Sequence, residues 1–201
     1  MIDNKPVVFI SSTIYDFKDL RSALKWWLED NGFVVLLSEH NEFPVLANMN
    51  SYDVCFEAIH KSDYFILLIG HRVGGLYNEE DKISITRQEY REAVKLADQG
   101  QIKMLPFVRQ DIWTIKEDRK ALVHELEVNY RRELTPDNIS KIALHQSRFV
   151  QDAESIFSFI DEVTKKQEMK EASKGNRERP KNNWKIDFNS FEDIRSSLEA
   201  Q

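Results

Sequence analysis

Glu89 is the residue with the clearest chemical consequence. On a helical wheel from Ser84 to Gln99 it falls inside an arc otherwise made of Ile85, Ala93, Leu96 and Ala97. A carboxylate stands where a leucine would fit. Burying an unpaired carboxylate costs several kcal/mol, roughly, so this one needs a partner, a solvent-filled cleft or a shifted pKa. A catalytic carboxylate answers to each of these descriptions. So does a structural glutamate paired with an arginine such as Arg21 or Arg72.

Three further segments carry groups that suit a ligand. Ser11-Ser12-Thr13, with Asp16 three residues on, is hydroxyl-rich and precedes a helix. It reads either as a helix cap, Thr13 accepting from the Asp16 amide, or as a helix N-terminus holding a phosphate or ribose. Gly70-His71-Arg72-Val73-Gly74-Gly75 lets backbone approach a ligand closely, and Arg72 can pair with a phosphate or carboxylate. Gly70 and Gly75 have Walker A spacing, but Leu76 and Tyr77 stand where lysine and a hydroxyl residue are required, so phosphoryl transfer is unsupported. A flexible turn with a solvated arginine is the structural reading. Glu42, in His40-Asn41-Glu42-Phe43-Pro44, is a second acidic candidate. The five histidines make no metal-binding spacing, and neither a metal nor a cofactor is expected. Cys55 lies on the apolar face of its helix, as a small core residue does.

These segments need a frame. Short β-rich runs at Val7 to Ser11, Phe33 to Leu37, Tyr64 to Ile69 and Lys103 to Val108 alternate with helical periodicity at Ile14 to Asp30, Tyr52 to Lys61 and Ile85 to Gln99. Thr114 and Glu117 have capping-box spacing and predict a helix from there to about Asn129. A short helix near Asn138 to Leu144, a weak fifth strand at Ser147 to Val150 and a long helix from Ala153 to Ala172 follow. Strands separated by helices pair in parallel, so the expected fold is an α/β, flavodoxin-like, doubly wound sheet of about five strands in the order 2-1-3-4-5. Ligands of such sheets bind beyond the carboxyl ends of the strands, where the Ser11, Leu37 and Ile69 loops would share one cleft. The α/β domain is expected over residues 1–172 and a basic linker over 173–183. A tail over 184–201, with apolar spacing from Trp184 to Leu198, would dock on the core or on a partner.

Composition limits the function classes. Of 201 residues 41% are apolar, enough for a core, and the longest apolar runs are strand-sized rather than the ~20 residues of a membrane helix. Met1 to Ile10 lacks the basic start and long apolar region of a signal peptide, so none is expected. A lone cysteine allows no internal disulfide, so a cytoplasmic, reducing address is expected. With 34 acidic against 28 basic side chains the net charge is −6, which disfavours bulk nucleic-acid binding. The stretch around the linker is the local exception: from Lys165 to Lys185, eight basic residues face three acidic ones.

Together the motifs carry a resemblance. Val8-Phe9-Ile10-Ser11-Ser12-Thr13 with Asp16 and Arg21, Glu42-Phe43, Cys55-Phe56-Glu57-Ala58-Ile59, Asp63-Tyr64, Gly70-x-Arg72-x-Gly74 and Ser84-Ile85-Thr86-x-x-Glu89-Tyr90-x-x-Ala93 resemble a TIR-like family of domains of unknown function. Such domains often stand at the N-terminus of STAND-class signalling ATPases. The resemblance spans about Lys5 to Val108, with Leu20 and Val73 departing from the usual glutamate and tyrosine. Related folds include TIR domains that cleave NAD and nucleoside 2-deoxyribosyltransferases, which use a glutamate on the helix after the third strand. The resemblance therefore implies that Glu89 is the catalytic carboxylate and that Ser11, Ser12, Thr13, Asp16, Arg21, Glu42, Gly70, Arg72, Gly74 and Ser84 surround a nucleotide or nucleoside. It implies N-glycosidic bond cleavage in a defence or signalling role, or else a non-catalytic nucleotide-sensing or protein-interaction module. Self-association or a partner protein engaged through the tail would accompany either role.

Overall fold

A computed structural model describes residues 5–38, 50–147, 149–175, 178, 180–181 and 184–201. The chain passes through β1 (Val7–Ser12), α1 (Ile14–Asp30), β2 (Val34–Leu36), α2 (Ser51–His60) and β3 (Tyr64–Ile69). An antiparallel pair, β4 (Leu76–Asn78) and β5 (Ile83–Ser84), precedes α3 (Ile85–Asp98) and β6 (Lys103–Arg109). Next come α4 (Gln110–Asn129), α5 (Pro136–Ala143), α6 (Ala153–Val163), α7 (Lys166–Ser173), β7 (Ile186–Phe188) and α8 (Phe191–Glu199).

Five strands form one sheet in the order β2-β1-β3-β6-β7, each pair parallel. This is the α/β, flavodoxin-like arrangement expected from the alternation. Successive residues of a strand face opposite sides, and in β1 and β3 both sides are apolar because helices cover both. Phe9, Phe65 and Leu67 join Ala93, Leu96, Ile156 and Phe159 on one side. Val8, Ile10, Ile66 and Leu68 join Phe17, Leu24, Phe107, Phe188 and Ile194 on the other.

The fifth strand is not where the sequence placed it. Ser147 and Val150 make only an isolated antiparallel bridge, and Val150 turns into the core. The free edge of β6 is instead filled by β7 from the tail, whose alternating Ile186-Asp187-Phe188 buries Phe188 at 1% exposure against Phe17 and Phe107. Loss of a ring so buried costs about 3–5 kcal/mol. α8 follows, started by a capping box between Ser190 and Asp193, and lays Ile194 and Leu198 on the same core.

Two helix boundaries also differ. α4 begins at Gln110, four residues before Thr114, whose hydroxyl donates back to the Gln110 carbonyl at 2.9 Å rather than capping. The long closing helix is two, because Lys165 adopts a left-handed φ of 47° between α6 and α7.

Candidate functional site

β1, β2 and β3 all end at the same edge of the sheet, and described residues beyond each of them meet there. Ser12, Thr13, Tyr15, Ser38, Arg72, Gly74, Thr86 and Glu89 line a cleft of about 440 Å³. Glu89 forms its inner wall. It sits one turn into α3, which starts where the Ser84 hydroxyl accepts from the Arg87 amide, and it is 5% exposed. The Ser11 hydroxyl donates to its Oε2 at 2.5 Å across the sheet–helix boundary. The Cys55 thiol of α2 also bonds to this carboxylate. Burial first, then the charge and hydrogen bond of Glu89, push that thiol up to about 12. Cys55 is therefore a protonated donor at neutral pH and not a nucleophile.

Arg21 lies beneath the cleft, 1% exposed. Its Nη1 donates to the Ser12 hydroxyl at 2.7 Å and to the Ile10 carbonyl at 3.2 Å, fixing the end of β1. Arg72 belongs to Asp16 rather than to Glu89: its Nε lies 3.2 Å from Oδ1 and its amide donates to Oδ2 at 3.0 Å. The two terminal amino groups of Arg72 keep no hydrogen-bond partner among the described residues. Its guanidinium rests 5.1 Å from the centre of the Tyr15 ring.

Thr13 occupies the cap position of α1 without capping it. Its Oγ1 is buried and bonds to nothing among the described residues. A buried hydroxyl without a partner carries a desolvation cost of about 1–3 kcal/mol. The uncapped amides of α1 share its end of the cleft, giving a concentration of donors at a helix N-terminus.

Gly74, at φ +79°, brings the loop against Thr13, where a Cβ would lie 2.9 Å from the threonine methyl. Gly70 has a packing reason for its identity: a Cβ there would meet the Phe17 ring at 2.6 Å. Ser84 serves α3 as its cap, and Glu42 lies outside the described residues. Thus Ser12, Thr13, Arg72, Gly74 and Glu89 meet on one cleft, Ser11, Asp16 and Arg21 position them, and Gly70 and Ser84 shape the loop and helix. Sequence reasoning passed over Tyr15, Ser38, Thr86 and Gln151, which also line it. Tyr15 had a signal, as a large aromatic off the apolar face of α1 two residues after the hydroxyl cluster, and Thr86 stands within the Ser84-Ile85-Thr86 motif.

Among the described residues, no group of histidine, cysteine, aspartate and glutamate is arranged to hold a metal, and no helix is long and apolar enough to cross a membrane. No curated protein matches the chain. Among solved structures, the TIR domains of the activated Roq1 resistosome directly recognizing the pathogen effector XopQ are similar to it, at 12% identity and a TM-score of 0.44. The match covers 79% of this chain and 98% of that one. A family profile runs through both the cleft and the C-terminal strand and helix: matched over residues 7–201, the chain belongs to the family described as domain of unknown function DUF4062.

Proposed function

We propose that the cleft is a nucleotide pocket of a TIR-like domain and that Glu89 acts on the N-glycosidic bond of NAD or a related nucleotide, in a cytoplasmic signalling or defence role. The observation that carries this reading is the buried Glu89 carboxylate, oriented by Ser11 and lining the cleft beyond the strand ends. Breaking the C1′–N bond sends its electron pair to the base and leaves positive charge on the ribosyl carbon. A fixed carboxylate stabilises that charge or traps the carbon, and water then completes the hydrolysis. Glu89 is the one acid among the described lining residues, Asp16 being committed to Arg72. A single carboxylate suits a pyridinium leaving group, which departs neutral and needs no proton from a general acid. The α1 amides, Thr13 and the terminal amino groups of Arg72 would receive phosphate oxygens.

The test is incubation of concentrated protein with NAD and a nucleoside panel, followed by chromatography for free base. Release of nicotinamide from NAD is expected, and no base from any of these substrates would remove the enzymatic reading. The second reading is a non-catalytic nucleotide-sensing or protein-interaction module, in which Glu89 holds the Ser11 end of β1 against α3 and does no chemistry. In that case calorimetry would register nucleotide binding without turnover.

A further inference from the structure

Tyr15 is out of keeping with the rest of the cleft. Ser11, Thr13, Arg21 and Glu89 are buried, whereas the Tyr15 ring lies in the first turn of α1 with 85% of its surface exposed while still lining the cleft. An exposed aromatic side chain is ordinarily free to change rotamer, but one face of this ring is met by the Arg72 guanidinium at 5.1 Å. Arg72 is itself pinned at two points by Asp16, whose carboxylate is nearly buried. The chain Asp16 to Arg72 to Tyr15 therefore anchors a flat aromatic surface beside the cleft.

We infer that the Tyr15–Arg72 pair is a stacking platform for a planar heteroaromatic ring, and that Tyr15 is a specificity-determining residue for base-bearing ligands. The inference rests on the nucleotide-pocket reading and adds to it a residue and a recognition mode. A ring held before the ligand arrives loses less freedom on binding, so stacking contributes more of its energy to affinity. Tyr15 contributes a face rather than a hydrogen bond, so the platform selects for flatness and tolerates different bases. Sugar phosphates lacking a base gain nothing from it, because Arg72 stays anchored on Asp16 whether or not the ring is present.

The experiment is calorimetric titration of wild type, Tyr15→Phe and Tyr15→Ala with two probes, NAD and ribose 5-phosphate. Loss of one stacked base weakens binding by about fivefold or more. Tyr15→Ala should show that loss for NAD, Tyr15→Phe should stay within about twofold of wild type because the face survives, and ribose 5-phosphate should bind all three proteins alike. Because the side chain is exposed, the melting temperature should not move. Equal NAD affinity in wild type and Tyr15→Ala would overturn the platform while leaving the nucleotide pocket standing. Equal weakening of both probes would also overturn it, since the ring would then be acting on the phosphate end. A wild-type protein that binds neither probe would overturn the nucleotide pocket and the platform with it.

Discussion

α3 serves two carboxylates in opposite ways. Toward α6 it presents Arg87 and Arg91, which grip Glu162 through contacts of 2.6 and 2.7 Å, with Ser158 accepting a further bond from Arg87. Toward β1 it presents its own Glu89, met by the Ser11 hydroxyl and the Cys55 thiol at the wall of a cleft. Glu162 is a half-covered ion cluster that staples two helices. Burial works to raise its pKa, but the hydrogen bonds and charges of Arg91 and Arg87 prevail and lower it. The contrast separates two uses of an acid, one holding helices together and one set in the wall of a cleft.

Breaking the Glu162 cluster should give the larger loss of stability. Glu162→Ala leaves two guanidiniums without their acceptor. The expected cost is about 1–3 kcal/mol, below the ~3–5 of a fully buried pair because the side chains are partly exposed and screened. Chemical denaturation of the variant measures it, and base release should be unaffected.

A pH series sharpens the same contrast. Glu162 and Asp161 both have lowered pKa values; at Asp161, as at Glu162, burial opposes the shift and the bonds and charges of Lys116 and Lys166 win. Their stabilising effect is present above the ordinary carboxylate range and is lost as pH falls through the lowered folded-state values. Glu162→Gln should flatten that acid limb. At the other end, Cys55 holds its proton in the folded state up to about 12, so its contribution is present below the ordinary thiol value near 9 and is lost as pH rises between the two. Cys55→Ser should flatten the alkaline limb, in thermal melts recorded from pH 8 to about 11.

A smaller effect on stability than at Glu162 is expected at Thr13, and it should run in the favourable direction. Thr13→Val keeps the shape and removes an unpartnered buried hydroxyl, so it should stabilise by up to about 1 kcal/mol while weakening nucleotide binding. A destabilised variant with unchanged binding would mean that the hydroxyl is a structural donor.

How much of this could be read from the sequence depended on the range of the interaction. The alternating strands, the buried position of Glu89 and the convergence of the Ser11 and Ile69 loops follow from periodicity and from the handedness of parallel connections, which are local rules. Pattern alone does not assign the edge strand, because Ser147 to Val150 and Ile186 to Phe188 are both suited to pairing. Only the three-dimensional competition for the β6 edge decides between them. The partner of Arg72 was also open, since Asp16 and Glu89 lie on different elements and both suit a guanidinium. The packing of Gly70 on Phe17 settles it, because that contact places Asp16 directly under the loop. The role of Tyr15 is not legible in the sequence, because an exposed aromatic is common and its contact with Arg72 exists only once the loop is folded over α1.

The central claim is that Glu89 belongs to the cleft and not to the scaffold. Glu89→Gln keeps the shape and an acceptor for Ser11 while removing the charge. Base release from NAD and thermal melting, measured side by side on wild type and this variant, test the claim most directly. Electrostatic stabilisation of a developing charge is commonly worth 10²–10³ in rate, so turnover should fall by about that factor while the melting temperature and NAD affinity hold. A variant that melts several degrees lower, beside a wild-type protein with no base release to lose, would contradict the account and return Glu89 to the role that Glu162 plays.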